Sequence, residues 1–226
     1  MTFVETVKIT RKAEPTFDSI TVAEAIAAEK ESTVVVEGIV GPGLANQSGF
    51  YLIDETGVIS VTMTKEELTK FQQGNRVVIE GVRTQNRPTA TMPGQSKIGD
   101  AVLVHNYFGE HEYNDSTFKE STLAEVARLI DQTTTDYTTN VYIVEASIKS
   151  QGYTNIIENG QDSIAIYCSG AGQVTWAVNA AGGQGNIVKM EIALCNWNEK
   201  ATYKCAILAV YLADGTKIVN PNNFAQ

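Results

Sequence analysis

Gly49-Phe50-Tyr51-Leu52-Ile53-Asp54-Glu55-Thr56-Gly57-Val58-Ile59-Ser60-Val61-Thr62-Met63 reads as two short strands joined by a tight turn at Glu55-Thr56-Gly57. Gly57 is placed to supply the positive backbone angle that such a turn demands. Strand side chains alternate between faces. If Leu52 faces a core, Phe50 does too, while Tyr51 and Ile53 face the other way. On the return strand Ile59, Val61 and Met63 point inward, and Val58, Ser60 and Thr62 outward. The outward face is then mixed, one aromatic among small and hydroxylated groups, and is able to hold a ligand.

Working outward, Thr21 with Glu24 forms a capping box ahead of a short one-sided helix carrying Val22, Ala25 and Ile26. Residues 33–40 follow as a long strand, in which Gly38 suggests a bulge or bend. After the hairpin, Thr64 with Glu67 reads as a second capping box for a helix over 64–71. That helix would plug a barrel end through Leu68 and Phe71, with Gly74 as its C′ residue. Strands over 75–84 and 98–105 complete the unit. The polar stretch 85–96, with Pro88, Pro93 and Gly94, is the loop between them.

This order, and above all Gly49 to Val58 followed by Gly74-Asn75-Arg76-Val77-Val78-Ile79-Glu80-Gly81, resembles the bacterial OB-fold domains of secreted and cell-surface multidomain proteins. The likeness covers about residues 19–107. It implies a five-stranded barrel and an extracytoplasmic setting, with the targeting segment absent from this chain. OB-folds bind oligonucleotides or oligosaccharides on the face of strands 2 and 3 and its flanking loops.

The second half repeats the first. Thr122-Leu123-Ala124-Glu125-Val126 matches Thr21-Val22-Ala23-Glu24-Ala25, and Gly152-Tyr153-Thr154-Asn155-Ile156-Ile157 matches Gly49 to Asp54, at nearly equal offsets. Strands over 140–149, 163–168, 187–196 and 203–212 follow, with a hairpin turn at Glu158-Asn159-Gly160, a helix near Trp176 and a short last strand over 216–219. The expected architecture is all-β with short helices, in two tandem five-stranded OB-fold barrels. Residues 1–18 form a leader or extra strand, 19–107 domain 1, 108–120 a polar, acidic linker and 121–226 domain 2.

The 226 residues carry a net charge of −9 and a pI near 4.8. Electrostatic attraction dominates non-specific nucleic-acid affinity, so an acidic chain starts at a disadvantage against a polyanion. The residues able to offset this are Arg76, Arg83, Arg87 and Lys97; their plainer reading is a solvated edge with scattered charges. Tyr51 and Ser60 on the first barrel, and Tyr153, Tyr167, Trp197 and Tyr203 on the second, complete the candidate ligand-binding residues. Rings on such a face could stack on bases or sugars, at roughly 1–3 kcal/mol each, or could be ordinary packing.

The three cysteines are Cys168, Cys195 and Cys205. A hairpin centred on Lys200 would set Cys195 opposite Cys205, as a conceivable disulfide or as two small buried hydrophobes. His105 and His111 with Glu110, Glu112 and Asp115 fit no recognised metal spacing. There is no Gly-x-Ser-x-Gly elbow, Walker loop or His-Glu-x-x-His, and no apolar run of about 18 residues. The expectation is a non-catalytic module with no metal, no cofactor and no membrane-spanning segment. Its lead partner is single-stranded nucleic acid, held by the first barrel. The alternative is an oligosaccharide, or a fused or neighbouring protein that the chain contacts or spaces.

Overall fold

The computed structural model describes residues 13–44, 48–85, 95–116, 118–130, 141–151, 154–167, 174–195 and 204–221. The first unit runs α1 (Val22–Ala27), β1 (Thr33–Gly43), β2 (Gly49–Asp54), β3 (Gly57–Thr62), α2 (Lys65–Leu68), β4 (Arg76–Gln85) and β5 (Ser96–Asn106). Its strands close in the order β1-β2-β3-β5-β4, with β4 returning to β1 and a parallel join between β3 and β5.

The second unit runs β6 (Lys119–Glu120), α3 (Leu123–Ile130), β7 (Val141–Gln151), β8 (Thr154–Asn159), β9 (Asp162–Ile166), α4 (Thr175–Ala180), β10 (Val188–Cys195), β11 (Lys204–Tyr211) and β12 (Lys217–Val219). Here β7-β8-β9-β11-β10 follow one another and β10 pairs back onto β7, with β9 and β11 parallel. The ring order is the same in both units, so the chain is two tandem OB-type barrels. Even the entrances match. Ile20 bridges Val36 in parallel ahead of α1, and β6 pairs β7 in parallel ahead of α3.

Alternation builds the cores. Phe50, Leu52, Ile59 and Val61 fill the first barrel with Val36, Ile79 and Ile98, and Leu68 and Phe71 close one end as expected. Val144, Ile148, Ile157, Ile164, Met190 and Ile192 fill the second. A third cluster lies between the barrels. It joins Tyr51, Ile53 and Val58 of the first unit to Val141, Ile143, Ala193 and Leu208 of the second, with Tyr113 and Phe118 of the connecting segment wedged among them. Buried Gln95 donates to the Leu194 carbonyl at 3.0 Å, and Gln73 donates to the Asn220 carbonyl at 2.9 Å.

Several local expectations are revised. Gly57 does not take a positive φ. The turn is held instead by Asp54, whose Oδ1 accepts from Thr56 N (2.7 Å), Thr56 Oγ1 (2.6 Å) and Gly57 N (3.0 Å). The same side of the hairpin also caps α1: Asp54 Oδ2 accepts from Val22 N at 2.8 Å and Thr56 Oγ1 from Ala23 N at 2.9 Å. Gly38 carries no bulge; the register shift falls between Val40 and Gly43. Gly38 is there because Leu52 packs onto it, a Cβ standing only 2.9 Å from Leu52 Cγ.

The Thr21/Glu24 and Thr122/Glu125 capping boxes form reciprocally. At α2 only half of one forms. Thr64 accepts from Glu67 N at 3.2 Å, but the Glu67 carboxylate turns away to Leu103 N and Lys70. The helix stops at Leu68, short of Gly74. Cys205 stands opposite Leu194 and Cys195 opposite Lys204, so the two cysteines are not a directly opposed pair. Residues 13–18 lie on the first barrel as coil: Tyr107 Oη donates to Pro15 O at 3.2 Å, and Phe17 stacks on His105 at 5.1 Å.

Asp54→Ala should cost about 1–2 kcal/mol, because it strips both the turn and the first turn of α1 of an acceptor. Asp54→Asn should cost less. Urea unfolding midpoints at constant m-value would check the order.

Candidate binding face of the second barrel

An OB barrel offers ligands the outer face of its second and third strands. In the first barrel that face is β2–β3, and it is closed. Tyr51 is 4% exposed, Ser60 7%, and Ile53 and Val58 not at all. The expectation that Tyr51 and Ser60 look onto solvent is therefore corrected. The cause is composition: apolar Tyr51, Ile53 and Val58 share the face, and the second unit covers them.

The second barrel keeps the equivalent face open. Asp54 pairs with Gly57 at the end of the first hairpin, and Asn159 with Asp162 at the end of the second. Counting back from these ends, Tyr51, Ile53, Val58 and Ser60 correspond to Ile156, Glu158, Ser163 and Ala165. This register sets Ile157 in the place of Leu52, which corrects the sequence match of Ile157 with Asp54. Ser163 is exposed, and Ile156, Glu158 and Ala165 are half-buried. Lys149 from β7 lies 3.5 Å from Glu158, so the face carries one balanced ion pair. Half-buried Tyr167 follows β9, its backbone N donating to Cys205 O at 2.8 Å and its ring resting at the edge of the inter-barrel cluster. Tyr153, Trp197 and Tyr203 fall outside the described residues.

The basic group does not converge. Arg76 opens β4 and spends its guanidinium on Glu37, through Nε at 2.6 Å and Nη2 at 2.5 Å, while lying 4.3 Å over the Tyr107 ring. Arg83 sits seven residues on, roughly 23 Å along an extended strand. Its Nη2 donates to Ile26 O at 3.0 Å and Ser96 Oγ at 2.6 Å, tying α1 to the barrel. Lys97 is half-buried on β5, in register with Ser60 and Thr84. Arg87 lies outside the described residues.

Among the described residues no three His, Cys, Asp or Glu side chains gather as a metal site. His105 lies between Phe17, tilted against it, and Tyr107, which it meets edge-on. Asp115 joins a polar cluster for which the sequence reading had no place, centred on fully buried Glu191 of β10. Tyr113 Oη donates to Glu191 Oε2 at 2.7 Å. Tyr211 Oη lies 2.5 Å from Glu191 Oε1 and 2.7 Å from Asp115 Oδ2. Lys217 Nζ donates to Asp115 Oδ2 at 3.0 Å and Glu191 Oε1 at 3.1 Å, 4.0 Å over the Tyr113 ring.

Burial raises the Glu191 carboxyl above its ordinary range and outweighs the tyrosines and Lys217 hydrogen-bonded to it. Burial pushes Asp115 up as well, but the hydrogen bonds from Tyr211 and Lys217 outweigh it and hold it at about 2. Both phenols are raised, by burial first and then by the carboxylates beside them. The signal in the sequence was a lone charge inside the apolar run Met190-Glu191-Ile192-Ala193-Leu194.

No family model matches the chain, and none of the curated proteins resembles it in sequence. Among solved structures it is similar to the hypothetical protein ygiW from E. coli, with a TM-score of 0.31 and 16% identity over 40% of this chain and 94% of that one. It is also similar to a replication protein A heterotrimer bound to ssDNA, with a TM-score of 0.28 and 8% identity over 89% of this chain and 70% of that one. At these scores neither likeness bears on the ligand.

Val58→Ser gives the first barrel the residue its twin carries, and should cost roughly 2–3 kcal/mol by removing buried methyls and burying a hydroxyl. Ser163→Val, on the open face, should stay within about 0.5 kcal/mol of the parent. Equal effects in denaturant titrations would contradict the assignment of closed and open faces.

Proposed function

We propose that the chain is a non-catalytic binding module of a secreted or cell-surface protein, and that its ligand is an oligosaccharide laid across β8 and β9 of the second barrel. One observation supports this reading above the rest. Of two equivalent hairpin faces, the first is sealed by apolar contact, whereas the second stays accessible, mixes Ile156 and Ala165 with Glu158 and Ser163, and is close to neutral.

OB barrels use that face for either oligonucleotides or oligosaccharides, so charge chooses between them. Affinity for a polyanion comes mainly from cations that replace its counterions. Lys149 is matched by Glu158, Arg76 by Glu37, and Arg83 is turned onto Ile26 and Ser96. The whole chain carries −9. A hydroxyl-rich neutral chain asks instead for hydrogen-bonding groups without an excess of charge, and Ser163 and the Lys149–Glu158 pair supply them. The single-stranded nucleic-acid reading leans on a basic group in which Arg76 and Arg83 stand apart and are already engaged.

The check is a parallel titration of the full chain against neutral oligosaccharides and against labelled single-stranded oligonucleotides at low salt. A saccharide should bind, and Ser163→Arg, which crowds the face without touching a core, should weaken it about tenfold or more, a loss of about 1.4 kcal/mol. Oligonucleotides should show no binding at high micromolar protein. Oligonucleotide binding that fades as salt rises would overturn the proposal.

A further inference from the structure

Tyr211 has a single hydroxyl proton, yet its oxygen lies within short hydrogen-bond range of two carboxyl groups, 2.5 Å from Glu191 and 2.7 Å from Asp115. Two ionised carboxylates cannot both receive that one proton. One of the two contacts must therefore be donated by a carboxylic acid. Glu191 is fully buried, whereas Asp115 is partly open to solvent. A charge is far costlier at the first position. The extra proton belongs on Glu191, which donates to Tyr211, which in turn donates to Asp115.

We infer that the connecting segment is fastened to the second barrel by this one additional proton, so that the Tyr113–Asp115–Glu191–Tyr211–Lys217 cluster is a clasp that opens when Glu191 ionises. The groups around Glu191 are few. The connecting segment brings Tyr113 and Asp115, β11 brings Tyr211, and β12 brings Lys217. On β10 itself Lys189 faces the Tyr211 ring at 5.7 Å and is paired with Glu120 at 2.6 Å. β7 sets Ile143 opposite Glu191 and adds no charge at that register. Lys217 can compensate one carboxylate. A second, buried beside the first, is left with repulsion and no solvent. Tyr113 belongs to the cluster that covers Tyr51, Ile53 and Val58, so opening the clasp loosens the seam between the barrels.

The sign of the pH dependence follows. Glu191 keeps its proton in the native chain above its ordinary value of 4.5, so the native state binds more protons than the unfolded one. Its stabilisation is complete below that value and is lost as pH rises through the native midpoint. Asp115 acts in the opposite sense: its contribution is present above 3.8 and is lost as pH falls toward about 2.

Carbon-13 carboxyl NMR of the full chain reads Glu191 directly, and hydrogen exchange, corrected for intrinsic base catalysis, reads the amides of residues 113–116 and 118. The Glu191 resonance should titrate above its ordinary value, with protection in the connecting segment falling at the same midpoint. In Glu191→Gln, the alkaline loss of protection should disappear. A Glu191 midpoint at or below its ordinary value, or protection that ignores that midpoint, would overturn the clasp. The measurement on the parent chain decides this even if the variant fails to fold.

Discussion

The hairpin of β2 and β3 carries apolar side chains on both of its faces, and a strand cannot hide both against one core. Phe50, Leu52, Ile59 and Val61 go into the first barrel, which leaves Tyr51, Ile53 and Val58 in need of a second dry environment. At roughly 1.5–3 kcal/mol for each large apolar side chain buried, the three together are worth about as much as the net stability of a small domain. The second barrel is therefore no appendage. It completes the burial of the first, and the seam between them is a core in its own right.

That constraint separates the histories of two equal surfaces. The shared ring order supplies two copies of the outer hairpin face, and each can serve packing or solvent but not both. Tyr51, Ile53 and Val58 commit the first to packing. Ile156, Glu158 and Ser163 leave the second to solvent, with Lys149 neutralising Glu158. The arginines that made the first unit look receptive to nucleic acid serve its own architecture: Arg76 ties β4 to β1 through Glu37, and Arg83 ties α1 to the barrel wall. A cation already satisfied by a carboxylate or a carbonyl has little left to offer a phosphate.

Features set by neighbours in the chain were legible in the residues. Strand alternation placed every inward side chain of the first hairpin, Thr21/Glu24 and Thr122/Glu125 closed as full capping boxes while Thr64/Glu67 closed by half, and Gly160 turns the second hairpin with a φ of +65°. Features set by distant partners were not. Tyr51 alternates outward whether solvent or another barrel lies beyond it, so periodicity alone could not say that it is buried. Gly57 looked like the turn-maker because glycine tolerates positive φ, while the Asp54 side chain reached the same turn by accepting three hydrogen bonds. The Cys195 and Cys205 register depends on the offset of β10 against β11, which neither cysteine's neighbours in the chain dictate.

Glu191 shows why a carboxyl group sits in the middle of an otherwise apolar strand. Replacing buried hydrogen-bonded partners by apolar groups of the same shape is often neutral or stabilising, so stability alone does not account for its presence. Apolar contacts would hold Tyr113 and Phe118 between the barrels in many orientations, since dispersion and hydration have no direction. Hydrogen bonds do. With Tyr113 on one carboxyl oxygen, and Tyr211 and Lys217 on the other, Glu191 admits one placement of the connecting segment and rejects its neighbours by leaving a polar atom unpaired. The placement of the connecting segment along the seam is set by that polar knot, and the apolar seam supplies the energy that the knot then aims.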